Sequence, residues 1–189
     1  TYTNYEVIII DNHSDEQQTL NYLYQLSQDS KFRILPYPHA FNYAAMHNWA
    51  VPQAKGEYIC FLNNYSEIIT PEWLEEMLGQ AQRPSIGAVG AKLLYADNSL
   101  QHGGVITGIG GVAGHSHKRY PSSEPGYFGR AALTQNFSAV TGACLLVSKE
   151  HWLQLCGMSL ELPVAFNDVD FCLRLEEKGL RNVWPVSYT

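Results

Sequence analysis

Two largely apolar runs, the β-branched-rich residues 5–10 and residues 57–62, each stop abruptly at a polar cluster, and segments of helical periodicity separate such runs along the chain. A continuous apolar run cannot alternate between water and core, so each reads as a strand covered on both faces. The clusters that close them, Asp11-Asn12-His13-Ser14 and Asn63-Asn64-Tyr65-Ser66-Glu67, read as turns leaving a sheet. Residues 32–35, 86–89 and 139–147 have strand character, and Val183-Trp184 begins a last strand. Helices are predicted over 15–27, over the Ala-rich 41–54 with a bend at Pro52, and after Thr70-Pro71-Glu72-Trp73. There Thr70 is the expected N-cap and Pro71 the first helical residue. A further helix over 167–178 stops at Gly179. Strands alternating with helices predict an α/β fold with a mostly parallel sheet flanked by helices. The middle differs: residues 103–114 are laced with glycine and 121–129 are rich in Pro, Ser and Gly, a loop-rich insertion.

With 189 residues, 46% of them hydrophobic, the chain supplies one packed domain and is excluded from the disordered class. A net charge of -6 argues against a nucleic-acid partner, which requires a basic stripe. Charged residues make up only 16%, and 12 tyrosines leave a neutral, aromatic surface suited to stacking on sugars or bases, although tyrosine is equally ordinary at the edge of a core. Cys60, Cys144, Cys156 and Cys172 form no C-x-x-C pair and are expected as reduced thiols rather than disulfides or zinc ligands. No stretch reaches the roughly 18 apolar residues of a membrane span.

Ligands of open α/β sheets bind beyond the carboxyl ends of the strands. The clusters at 11–15 and 63–67 occupy such ends, either as turns with helix caps or as the rim of a ligand cleft. In Phe166-Asn167-Asp168-Val169-Asp170, Asn167 is a candidate cap. Asp170 is a candidate capping-box acid, four residues before Arg174. Asp168 reads as a first-turn acid favoured by the helix dipole or as a general base facing a cleft. Residues 108–113 fit a loose G-x-G-x-x-A pattern but lack a following helix. His115 and His117 lie on one side of an extended segment without a third metal ligand. Ser148 lacks the glycines of a nucleophile elbow.

In order, these segments resemble the family 2 glycosyltransferases of GT-A fold that build bacterial polysaccharides. Residues 5–14 resemble the family's second strand and its nucleotide-contacting turn, and 41–58 the helix and strand before the metal motif. Phe61-Leu62-Asn63-Asn64-Tyr65-Ser66-Glu67 takes the place of that motif, and Pro71-Glu72-Trp73-Leu74 opens the next helix. Val140-Thr141-Gly142-Ala143-Cys144 resembles the acceptor-side strand, and residues 166–175 the segment bearing the catalytic carboxylate. Pro125-Gly126-Tyr127-Phe128 in the glycine-rich middle is similar to O-antigen and rhamnan-type enzymes. The resemblance implies transfer of a sugar from a UDP- or dTDP-linked donor to a glycan or lipid-linked glycan, inverting the anomeric centre. It assigns the base to Asp168, nucleotide contacts to Asp11, Asn12, Ser14 and Asn64, and the acceptor side to Asp170, Thr141 and Gly142. It also implies Mg²⁺ or Mn²⁺, and a location in the cytoplasm or at the inner membrane face.

Two departures qualify the resemblance. The family's metal-ligating acid falls at Tyr65, a phenol neutral at pH 7 and a poor ligand for a hard cation. Glu67 remains the candidate ligand, reached by a shift of the loop. The family's first strand and a downstream histidine have no counterpart, so residues 1–189 are expected to be one GT-A-type domain cut at both ends. A catalytically degenerate domain that binds a nucleotide or glycan is the alternative expectation.

Overall fold

The computed structural model describes residues 1–186. Helices and strands alternate through the first half: β1 (Val7–Asp11), α1 (Gln17–Leu26), β2 (Phe32–Pro36), α2 (Tyr43–Ala50), β3 (Tyr58–Leu62), α3 (Trp73–Ala81) and β4 (Ile86–Gly90). Short strands follow, β5 (Leu93–Leu94), β6 (Leu100–His102), β7 (Val105–Thr107), β8 (Ala113–His115) and β9 (Gln135–Phe137). β10 (Cys144–Ser148), α4 (Lys149–Gln154), α5 (Asn167–Glu177) and β11 (Arg181–Trp184) complete the order.

The main sheet has the order β3-β10-β4-β11-β9, while β1 pairs in parallel with β2 in a separate sheet. The expectation of a mostly parallel sheet holds for β1–β2 and β4–β11 and is corrected elsewhere. β10 runs antiparallel to both β3 and β4, and β9 runs antiparallel to β11. The reason is visible in β10 itself. Its residues 144–147 are buried, and a doubly covered apolar run reads the same in either direction. β1 and β3 lie in different sheets and are not hydrogen-bonded to one another. Their starts are tied together by Glu6, which accepts from the Lys55 backbone N–H at 2.5 Å and pairs with Arg33 at 2.9 Å. The glycine-laced 103–114 stretch supplies all of the β7–β8 hairpin except His115, and β5–β6 forms another just before it.

Two apolar layers cover the main sheet. On one face Ala88, Leu145 and Val147 pack with Phe171 and Leu175 of α5 and Trp152 of α4. On the other, Val89, Leu146 and Val183 pack with Met77 and Ala81 of α3. The alternation follows the period-two geometry of strands.

Helix ends confirm and correct the sequence reading. Gly179 has φ +81°, and the N–H groups of Gly179 and Leu180 bond the carbonyls of Glu176 and Leu175, so α5 ends in the expected glycine cap. α2 yields to a 3₁₀ turn at Val51–Gln53, which contains Pro52. Thr70 does not cap α3; its carbonyl accepts from Trp73 N–H in a turn, and the helix starts after it. Cys144 and Cys172 are buried, Cys60 is partly buried and Cys156 exposed, all four as free thiols.

Candidate active site

A cleft of about 430 Å³ opens where β3 ends, where the turn into β10 begins and where α5 starts. Chain reversal at Phe166, which adopts φ +60°, aims the first turn of α5 into it. Such a conformation in a non-glycine residue is costly and persists where the surroundings enforce it. Here Asn167 is buried and donates to the Leu162 carbonyl at 3.2 Å, pinning the reversal from behind. Asn167 therefore braces the helix start and does not cap it.

Asp168 lines the cleft, and both carboxylate oxygens are held by backbone donors. Gly142 N–H bonds Oδ2 at 2.8 Å, and Val169 N–H bonds Oδ1 at 2.8 Å. The approach to Gly142 is close, since a Cβ there would stand 3.4 Å from both Asp168 Cβ and the Tyr43 hydroxyl. That hydroxyl donates to the Gly142 carbonyl at 3.3 Å. Burial, then the charge of Asp168 and then Tyr65 push the Tyr43 pKa up, so the phenol keeps its proton. The result is a carboxylate of fixed orientation beside an obligatory donor, able to accept a proton from a hydroxyl placed in the cleft.

The remaining sequence-derived candidates divide. Thr141 and Gly142 line the cleft with Asp168. Asp170 is turned elsewhere: Arg174 grips it at 2.9 Å and also donates to the carbonyls of Leu155 and Gly157, each at 2.8 Å. Asp170 thus ties α5 to the loop after α4 and is neither a capping-box acid nor part of the cleft wall. Asp11, Asn12, Ser14 and Asn64 are not among the cleft residues. Asp11 accepts from Ser14 N–H at 3.1 Å, and the Asn12 amide donates to the carbonyls of Tyr37 and His39. Asp11, Asn12 and Ser14 form a separate hydrogen-bonded turn at the end of β1, while Asn64 follows β3.

Asn63 lines the cleft where Asn64 was expected to matter, and its amide donates to the Tyr65 hydroxyl at 2.5 Å. Tyr65 is 77% exposed on the rim. Glu67 is exposed and does not reach the cleft wall. No group of three His, Cys, Asp or Glu side chains suited to a metal occurs among the described residues. Amide and phenol oxygens at 63–65 are a poor donor set for Mg²⁺ or Mn²⁺, which favour carboxylate. The residues present do not fit the ion that the resemblance implied.

Sequence alone assigns Tyr43, His102 and Lys118 no role and weighs His115 only as half of a metal pair, yet all four line the cleft. His115 and His117 part company as a metal pair, because His115 meets His102 while His117 Nδ1 meets the Ser116 hydroxyl at 2.7 Å. The available signal was that His102 and His115 bracket the glycine-laced stretch. Only the β5–β6 and β7–β8 hairpins turn that bracket into a contact.

A mixed sheet covered by helices, with a fixed carboxylate over a polar cleft at its edge, defines a GT-A-fold protein. Two solved structures share this fold across 96% of the chain. A Pyrobaculum calidifontis mannosyltransferase in complex with GDP-Man and Mn²⁺ aligns with TM-score 0.67 at 14% identity over 46% of its length. GalNAc-T7 with UDP, GalNAc and Mn²⁺ aligns with TM-score 0.72 at 12% identity over 36% of its length. Residues 1–151 match glycosyl transferase family 2, and the chain belongs to that family. An uncharacterized protein of Sinorhizobium fredii is 47% identical over 185 residues, and the O-antigen biosynthesis protein RfbC of Myxococcus xanthus 42% identical over 185. The chain spans 20% and 14% of the length of these relatives. Family and fold are those of a sugar transferase.

Proposed function

We propose that the chain moves a sugar from a nucleotide-diphosphate donor, UDP- or dTDP-linked, to a hydroxyl of a glycan or lipid-linked glycan. The observation that carries this reading is Asp168, held by two backbone N–H groups at the mouth of a cleft of sugar size. Its carboxylate takes the proton of the acceptor hydroxyl as that oxygen attacks the anomeric carbon. The carbon–oxygen bond to the diphosphate breaks on the opposite face, and the nucleoside diphosphate leaves, so the configuration inverts. Thr141 and Gly142 shape the acceptor side. The turn at Asp11, Asn12 and Ser14 receives the nucleoside, with Asn64 toward the ribose or diphosphate. Lys118, the single Lys or Arg along the cleft wall among the described residues, supplies positive charge for the diphosphate.

The relative named for O-antigen biosynthesis supports a role in bacterial surface polysaccharide assembly, which would place the chain in the cytoplasm or peripherally at the inner membrane face. Among the described residues no helix is long and apolar enough to cross a membrane. Tyr65 in the metal position favours a second reading, a domain of the same fold that binds a nucleotide or glycan without turnover. Incubation with a panel of UDP-, dTDP- and GDP-sugars and simple glycoside acceptors, with anomeric configuration read by NMR, separates the two. Product of inverted configuration is expected; retained configuration contradicts the mechanism, and binding without product favours the second reading.

A further inference from the structure

His102 and His115 stand at the ends of β6 and β8 with rings edge to face, centroids 5.1 Å apart. Their Nδ1 atoms are 2.9 Å apart. His102 is fully buried, and its Nε2 lies 3.4 Å from the Thr141 backbone nitrogen. A backbone N–H only donates, so His102 Nε2 accepts and carries no proton. The neutral ring then has its proton on Nδ1, aimed at His115 Nδ1, which must accept. His115 is left with its own proton on Nε2. Among the described residues nothing bonds that Nε2, and His115 shares the cleft wall with Asp168.

We propose that His115 is a substrate-binding donor in this cleft. His102 locks it in the Nε2–H form, and it grips a sugar hydroxyl beside the one that Asp168 deprotonates. The inference rests on the transferase reading above. A carboxylate that only accepts and an imidazole locked to donate suit neighbouring hydroxyls, which do both. Anionic oxygen is better served by Lys118, on the same wall. Protonating His115 at Nδ1 would oppose two N–H groups unless His102 moved its proton toward the Thr141 N–H. Burial pushes the pKa of both rings down, and Lys118 lowers that of His115 further while Asp168 opposes it. The same bonds run from His115 through His102 to Thr141, next to the Gly142 N–H that holds Asp168. The glycine-laced excursion is thereby tied to the turn that sets the base, with His102 as a positioning residue.

Imidazole ¹⁵N spectra of the full chain test the lock. His115 is expected as the Nε2–H tautomer from about pH 6 to 8, around the ordinary histidine pKa; the Nδ1–H form, or titration near that ordinary value, overturns it. Acceptor kinetics test the role. In His115→Ala the acceptor KM rises roughly tenfold with kcat little changed, as for loss of one hydrogen bond. His115→Gln, whose amide can donate from the Nε2 position while its carbonyl accepts from His102, returns to within about threefold. An active protein indifferent to His115→Ala, or unrescued by glutamine, contradicts this inference alone. A protein with the locked tautomer that transfers no sugar contradicts the transferase reading, and with it the substrate assigned to His115.

Discussion

At the scale of single residues, the proposed chemistry of the cleft turns on Asp168 and Tyr65. Spacing alone left Asp168 as either a first-turn acid or a base, and only the family resemblance singled it out from Asp170. The structure separates the two acids: Asp170 is held by Arg174, whereas Asp168 lines the cleft. Tyr65 was equally legible, since a phenol where the family places an acid changes the chemistry whatever its rotamer. What the sequence could not supply was the proposed substitute, Lys118, which reaches the wall only through the β7–β8 hairpin and the turn after it. The expected consequence is nucleotide binding that ignores Mn²⁺. Calorimetric titration with UDP and dTDP should give the same affinity with and without the ion; a rise of about tenfold or more, some 1.4 kcal/mol, contradicts the assignment. Tyr65→Asp should bring a Mn²⁺ response.

At the scale of elements, α5 carries the site, and Arg174 fixes its bearing. The i,i+4 pair with Asp170 was readable from spacing alone. The two carbonyls that Arg174 also takes, Leu155 and Gly157, were not, because they belong to a loop with no periodicity. Arg174→Ala should lower stability by about 1–3 kcal/mol, the range for stranding a partly buried charge-assisted network. Chemical denaturation measures this, and a change within about 0.5 kcal/mol, typical of neutral surface sites, contradicts it. The strand reading of residues 86–89 held, and the Gly179 cap was found because its left-handed conformation has a sequence signature. The direction of β10 had none: its buried residues satisfy a parallel or an antiparallel neighbour alike.

At the scale of the whole molecule, four histidines are packed so that burial lowers their pKa: His47, His102, His115 and His117. The unfolded chain gains protons at these sites near the ordinary value of about 6.5, while the folded protein binds them only at lower pH. The unfolded state then holds more protons, so stability falls as pH drops through and below that value. Glu176, whose pKa burial raises, acts in the opposite sense as a single group. The urea midpoint should therefore decline from about pH 7 to pH 5, with a shallower slope in His102→Gln. A flat or rising midpoint contradicts the packing described for these rings.

The low charge and abundant tyrosine acquire a place at this scale, with Tyr43, Tyr65 and Tyr95 around one neutral cleft. The account depends most on the proton acceptor in that cleft. The decisive measurement is sugar transfer by the full chain and by Asp168→Asn, with nucleotide affinity measured alongside. The asparagine variant should bind nucleotide as the parent does while kcat falls roughly 10²- to 10⁴-fold, the usual worth of a general base. Transfer at the parent rate contradicts the central claim.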